Sequence, residues 1–222
     1  MIELKPLGHI RTPFSEKFGI PRQPGLAPAA RATLSLEEPY RQPGVFDGLE
    51  GTSHLWLIFL FHAQSEEWQP KVRPPRLGGN DKRGVFATRS PNRPNRLGLS
   101  AVKLESVDNQ DFRLELSGVD LLDLTPILDI KPYLPYSDCL PQASHSFATE
   151  TPEPLKVRFS QSVQEHRQMN PRLATLIEQV LSLDPRPRYH QDSRSYGITL
   201  QGLNVRFHVD EEGVCVESLG EA

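Results

Sequence analysis

Apolar and polar residues alternate along short stretches of this chain, and prolines or glycines separate the stretches. A two-residue period places alternate side chains on opposite faces of an extended strand. This pattern predicts strands near residues 4–10, 32–36, 53–62, 84–88, 98–107, 112–118 and 127–130. Asp108-Asn109-Gln110 supplies the turn between two of them. Short strands divided by Pro/Gly turns imply a sandwich or a small barrel. The period changes near the C-terminus. Leu173, Leu176, Ile177, Val180 and Leu181 recur at three- and four-residue steps, the stripe of an amphipathic helix. Asn170 and Pro171 suit its N-cap and first position, and Pro185 stops it. Strands follow near 196–200, 204–209 and 214–219, after an earlier one at 155–159. The expected architecture is mainly β: an N-terminal β-rich domain over 1–140, a linker over 141–154, and a small α+β domain over 155–222.

Composition narrows the class. Proline accounts for 21 of 222 residues, well above the usual ~5%, which excludes long helices over most of residues 6–187. The longest apolar run covers residues 55–61, far short of the ~20 needed for a membrane-spanning helix. No basic stretch followed by an apolar segment opens the chain, so no secretory signal is expected. Cys139 and Cys215 then read as reduced thiols of a cytoplasmic protein. The net charge is −3, but it is unevenly spread. Residues 71–96 carry eight basic residues against one acid, a net +7, while the remainder holds 17 basic and 27 acidic, a net −10. Such a segment is either a solvated Arg-rich loop or a phosphate-binding one.

The familiar chemical motifs are missing. No Gly-rich dinucleotide or P-loop fingerprint, Cys-x-x-Cys, His-x-x-x-His or Gly-x-Ser-x-Gly occurs. His54 and His62 fall on one expected strand, ~26 Å apart at ~3.3 Å per residue, and cannot share a metal. No metal site is expected. Two segments stand out. Phe86 to Gly98 leaves a strand for a loop dense in Arg, Asn and Pro, able to hold an anion or simply to cross between strands. In the second, Asp129, Lys131 and Tyr133 alternate with Ile130 and Pro132 and so share one face. They form either an acid/base site or a surface salt bridge beside a tyrosine.

At these segments the sequence resembles the TsaA-like (TrmO, or YaeB) family of tRNA methyltransferases. The matching stretches include Pro21-Arg22-Gln23-Pro24-Gly25, Phe61-His62, Val72 to Asn80, Gly84 to Pro94, Asp129 to Leu134 and Asp184-Pro185-Arg186-Pro187, in order along nearly the whole chain. The resemblance implies a non-Rossmann β-barrel domain that binds S-adenosylmethionine, consistent with the missing Gly-rich fingerprint. It also implies methylation of N6 of threonylcarbamoyladenosine at position 37 of threonine tRNA, by a homodimer. Carried over by motif, the cofactor contacts are Gln23, Pro24, Gly25, Phe61, His62, Arg89, Leu99, Leu124, Thr125, Pro126 and Ile127. Asp129 or His62 would be the base, with Lys131 and Tyr133 orienting or neutralising. Arg73, Arg76, Lys82, Arg83, Arg93 and Arg96 would hold RNA, joined by Arg186 and Arg188; Arg89, Arg93 or Arg96 would read the threonyl carboxylate.

Three departures from the family pattern matter. Leu124 replaces a glycine of Asp-Gly-Thr-Pro, so either Leu124 is strained or the loop differs. Arg96 and Leu97 replace Pro-Ile, which adds a charge, and Ala63 follows His62 where a polar residue is common. Two other readings remain open at this level: a non-catalytic RNA-binding barrel and a methyltransferase for a small metabolite.

Overall fold

A computed structural model describes residues 2–77, 81–164, 170–186 and 194–221. In chain order the first strands are β1 (Gly8–Arg11), β2 (Arg31–Leu36), β3 (His54–Leu60), β4 (Lys71–Val72), β5 (Arg83–Gly84), β6 (Leu97–Asp108), β7 (Arg113–Ser117) and β8 (Thr125–Pro132). Six of them close into an antiparallel barrel in the order β1-β2-β7-β6-β3-β8, and β4 pairs with β5 as a separate ribbon. The two-residue period decides which side chains fill the barrel. On β3, Leu55, Leu57 and Phe59 point inward and are buried, whereas His54, Trp56, Ile58 and Leu60 point outward. Ile10, Leu34, Leu114, Leu116 and Ile127 complete the filling with no exposed surface. Register shifts at Ile58/Phe59 and Leu104/Ser106 supply the local bends that closure requires.

Several expected strands differ in extent: the one anticipated over 4–10 starts only at Gly8, and the one over 155–159 only at Val157. The strand anticipated over 53–62 ends at Leu60, so His62 lies in the turn beyond it and shares no strand face with His54. The strand anticipated over 84–88 is a 3-10 turn at Val85–Ala87, because Thr88 N–H bonds back to the Val85 carbonyl. The Arg-rich loop therefore starts earlier than its alternation suggested.

The C-terminal unit contains β9 (Val157–Phe159), a helix at Pro171–Ser182, and β10 (Tyr196–Leu200), β11 (Leu203–Asp210) and β12 (Gly213–Glu221). The strands form a sheet in the order β10-β11-β12-β9, with β9 parallel to β12. Asn170 caps the helix by accepting from Leu173 N–H at 3.1 Å. The helix buries Leu173, Leu176, Ile177, Val180 and Leu181, the apolar stripe read from the sequence. One apolar cluster runs through the barrel and this unit alike. Among the described residues no helix is long and apolar enough to cross a membrane. Cys139 and Cys215 are both free thiols.

Candidate active-site cavity

A cavity of about 570 Å³ opens at one end of the barrel, within the ~300–1,000 Å³ typical of small-molecule sites. Its walls come from segments far apart in the chain. They are the loop after β1 (Lys17, Ile20 to Gln23), the end of β3 and the turn beyond it (Phe59, Phe61 to Gln64), and the Arg-rich loop (Arg89, Pro91, Arg93). The start of β6 (Leu97 to Ser100) and the approach to β8 (Asp120 to Leu122, Thr125) close it. Gly98 is buried against the Phe59 ring, where any Cβ would overlap the ring. Only glycine lets β6 and that ring share this wall.

The Arg-rich loop is folded on itself by its own polar groups. Thr88 Oγ1 donates to the Val85 carbonyl at 2.8 Å and accepts from Ser90 N–H at 3.2 Å. The Arg93 guanidinium donates to the carbonyls of Thr88 and Ser90, both at 3.3 Å. Arg93 thus staples the loop while it lines the cavity. Arg89 remains at the rim, where its guanidinium donates to Gln23 Oε1. Gln23 Nε2 in turn donates to the Arg22 carbonyl, which sets the direction of the amide.

Two titratable groups line the cavity with shifted protonation. Asp120 is enclosed by protein except where it meets the cavity, and burial pushes its carboxyl up to about 6. A 2.7 Å bond from Ser100 Oγ and the nearby Arg89 charge pull the other way without cancelling that effect. His62 is lowered, first by burial and then by the charges of His9 and Lys17, so it is neutral at pH 7. Thr125 Oγ1 gives its hydrogen to the Leu122 carbonyl at 2.7 Å and lies 3.5 Å from His62 Nδ1. Thr125 can then only accept from that ring, which leaves Nε2 as the lone-pair nitrogen. Nothing in the motif reading pointed to Asp120 or Ser100. The available signal was an acid standing alone in an otherwise buried stretch, Leu116 to Leu121.

Of the residues singled out from the sequence, the fold brings Gln23, Phe61, His62, Arg89, Arg93, Leu99 and Thr125 to the cavity. Pro24, Gly25, Leu124, Pro126 and Ile127 stand outside its lining. Ile127 points into the barrel core, and Leu124 is 48% exposed. Leu124 adopts a left-handed conformation, with φ of 61°. Its N–H bonds to the Ile10 carbonyl at 2.9 Å, which holds the strained backbone in place. Of the two alternatives the departure raised, the strained residue is the one present.

Asp129, Lys131 and Tyr133 also stand outside the lining. Asp129 and Lys131 form an ion pair of 3.4 Å with both groups solvated. Tyr133 packs its ring 5.5 Å from Trp56, which itself lines the cavity. Among the cationic residues, Arg83 pairs with Asp81 at 3.4 Å, and Arg96 reaches the Gln64 carbonyl and Glu66. Arg73 and Lys82 are exposed; the Arg76 side chain and Arg188 lie outside the described residues. Arg186 is held by Asp184 at 2.8 Å. Among the described residues no group of three His, Cys, Asp or Glu is placed to hold a metal.

Comparison with known proteins places this geometry. The sequence model of the tRNA-methyltransferase O N-terminal domain matches residues 9–139, and that of the TrmO C-terminal domain matches residues 152–222. An Escherichia coli protein named tRNA (adenine(37)-N6)-methyltransferase is 43% identical over 228 residues, covering 98% of this chain and 97% of its own length. A Pseudomonas aeruginosa protein named as a candidate S-adenosylmethionine-dependent methyltransferase is 50% identical over 92% of this chain and 91% of its own. A crystal structure of TrmO from Pseudomonas aeruginosa superposes with a TM-score of 0.82 at 42% identity, over 99% of this chain and 98% of that one. The closed antiparallel barrel, the cavity at its mouth and both matched domains lead to one assignment: this chain belongs to the TrmO family of tRNA methyltransferases.

Proposed function

We propose that this chain transfers a methyl group from S-adenosylmethionine to N6 of threonylcarbamoyladenosine at position 37 of threonine tRNA. The observation that carries the reading is the cavity at the barrel mouth, which joins a buried carboxylate, a neutral histidine and aromatic walls under an arginine-bearing rim. These groups fit the donor. Asp120 suits its cationic part, Arg89 its carboxylate, and Phe59, Phe61 and Trp56 offer faces for its purine. Bound S-adenosylmethionine supplies a methyl group already activated on a sulfonium.

The chain's own residues then orient and exclude. The rings of Phe59 and Phe61, 5.1 Å apart and edge to face, form an apolar wall of the cavity. Alignment of methyl and nitrogen contributes most of the rate. The attacking nitrogen bears a proton that must leave as the new C–N bond forms and the C–S bond breaks. Among the lining groups, His62 Nε2 and the Asp120 carboxylate are the acceptors available near pH 7. Asp129 stands outside the lining, opposite Ile58 on β3 and paired with Lys131. The threonyl carboxylate meets Arg93, which also lines the cavity, and exposed Arg73 and Lys82 hold anticodon-loop phosphates. The split into 1–140, 141–154 and 155–222, a homodimer and a cytoplasmic setting belong to the same reading.

The test is incubation of purified protein and S-adenosylmethionine with threonine tRNA, either carrying or lacking the threonylcarbamoyl group, followed by nucleoside mass spectrometry. One added methyl only on the threonylcarbamoylated nucleoside is the expected result. Methylation of the unmodified adenosine to the same extent would remove the substrate assignment.

A further inference from the structure

The wall of the cavity formed by Lys17 to Gln23 is not held by the barrel alone. It belongs to the loop between β1 and β2, and the C-terminal sheet grips that loop from behind. Among the described residues β10 is an edge strand, paired with β11 alone, so one row of its backbone groups has no strand partner there. The loop supplies partners instead. Thr199 N–H donates to Glu16 Oε1 at 2.7 Å, Gln201 N–H donates to the Pro13 carbonyl at 3.1 Å, and Phe14 bridges to Leu200. Ile198 is buried against Gly19, whose φ of 92° turns the chain toward the cavity. The next residue, Ile20, already lines the cavity. Glu16 does not line it, and 183 residues of chain separate Glu16 from Thr199.

We infer that the C-terminal unit is a positioning element of the donor site: the edge of β10, through Glu16–Thr199 and Ile198–Gly19, sets where the Lys17–Gln23 wall stands. The inference rests on the cavity being the donor site. Its physical basis is that a loop between two strands loses little by shifting unless its backbone is tied at fixed points. A carboxylate accepting a backbone N–H is such a tie, stronger than a neutral bond. Glu16 is therefore a positioning residue, which acts through the wall and touches neither donor nor RNA.

The test uses the full-length chain. Dissociation constants for S-adenosylmethionine are measured by calorimetry and those for threonine tRNA by filter binding, on the wild type, Glu16→Ala and Glu16→Gln. Glu16→Ala is expected to weaken donor binding about tenfold and to raise KM for the donor in step, with the tRNA constant unchanged. Glu16→Gln keeps an acceptor in the same place and restores donor affinity to within about twofold. Ile198→Val, which removes one methyl facing Gly19, gives a smaller loss in the same direction and serves if Glu16→Ala does not fold. Unchanged donor affinity in the variants that fold, or equal losses in Glu16→Ala and Glu16→Gln, would overturn the inference. A wild type that does not bind the donor at all refutes the donor site itself, and the inference with it.

Discussion

Asp120→Asn separates stability from function at one buried atom pair. Asparagine is nearly isosteric, and its Oδ1 can still accept the 2.7 Å bond from Ser100. What changes is ionisation. Burial raises the native carboxyl from 3.8 to about 6. Between those values the native state binds more protons than the unfolded chain, so this group makes stability fall as pH rises. The penalty is absent below pH 3.8, grows up to about 6 and is complete above it. Its ceiling is about 3 kcal/mol, since each pKa unit corresponds to about 1.36 kcal/mol, and water in the cavity reduces it. Asparagine removes the penalty. Urea denaturation of ligand-free protein across a pH series should therefore show the variant gaining on the wild type from pH 4 to about pH 6 and keeping that margin to pH 8. A full 3 kcal/mol would raise Tm by about 6–12 °C for a chain of this size. A stability difference that stays constant across that range would refute the reasoning. Donor affinity or turnover should fall in the same variant, because a costly buried charge is kept where chemistry uses it.

Other expectations follow from single contacts. Leu124→Gly relieves a positive φ on a half-exposed side chain and should stabilise the fold by about 1 kcal/mol in urea melts, with the loop unchanged. Gly98→Ala forces a methyl into the Phe59 ring and should cost about 1–3 kcal/mol, with loss of donor binding measured by calorimetry. Arg73→Ala combined with Lys82→Ala should weaken tRNA binding and flatten the slope of log K against log salt by about 1–2, and an identical slope would mean that these residues do not meet RNA. Asn170→Ala removes the helix cap and should cost about 1 kcal/mol, read as a lower denaturation midpoint with an unchanged slope.

The barrel and the C-terminal unit were legible because their signals are local. Alternation in Leu55, Leu57 and Phe59, or the stripe from Leu173 to Leu181, depends on spacing along a few residues and survives without knowing any partner. The unusual backbone at Leu124 was legible only through the family resemblance, which has glycine at that position. Strand ends were less so. His62 continues the apolar run into a turn, and only the bond of its N–H to the Leu60 carbonyl shows that the strand has stopped.

By itself the sequence determined the mainly β character, the cationic segment and the family to which its motifs belong. Tertiary structure alone decided which of those residues meet. Closing the barrel brought Gln23 to Arg89 and His62 to Thr125, and left Asp129, Lys131 and Tyr133 on the outer face. It also made an acid of Asp120 that holds its proton to about pH 6. The physical reason is that burial and proximity come from long-range packing. A motif names the groups available, but the dielectric around a carboxyl and the tie behind a loop are set by other segments of the chain, which for Glu16 lie 183 residues away.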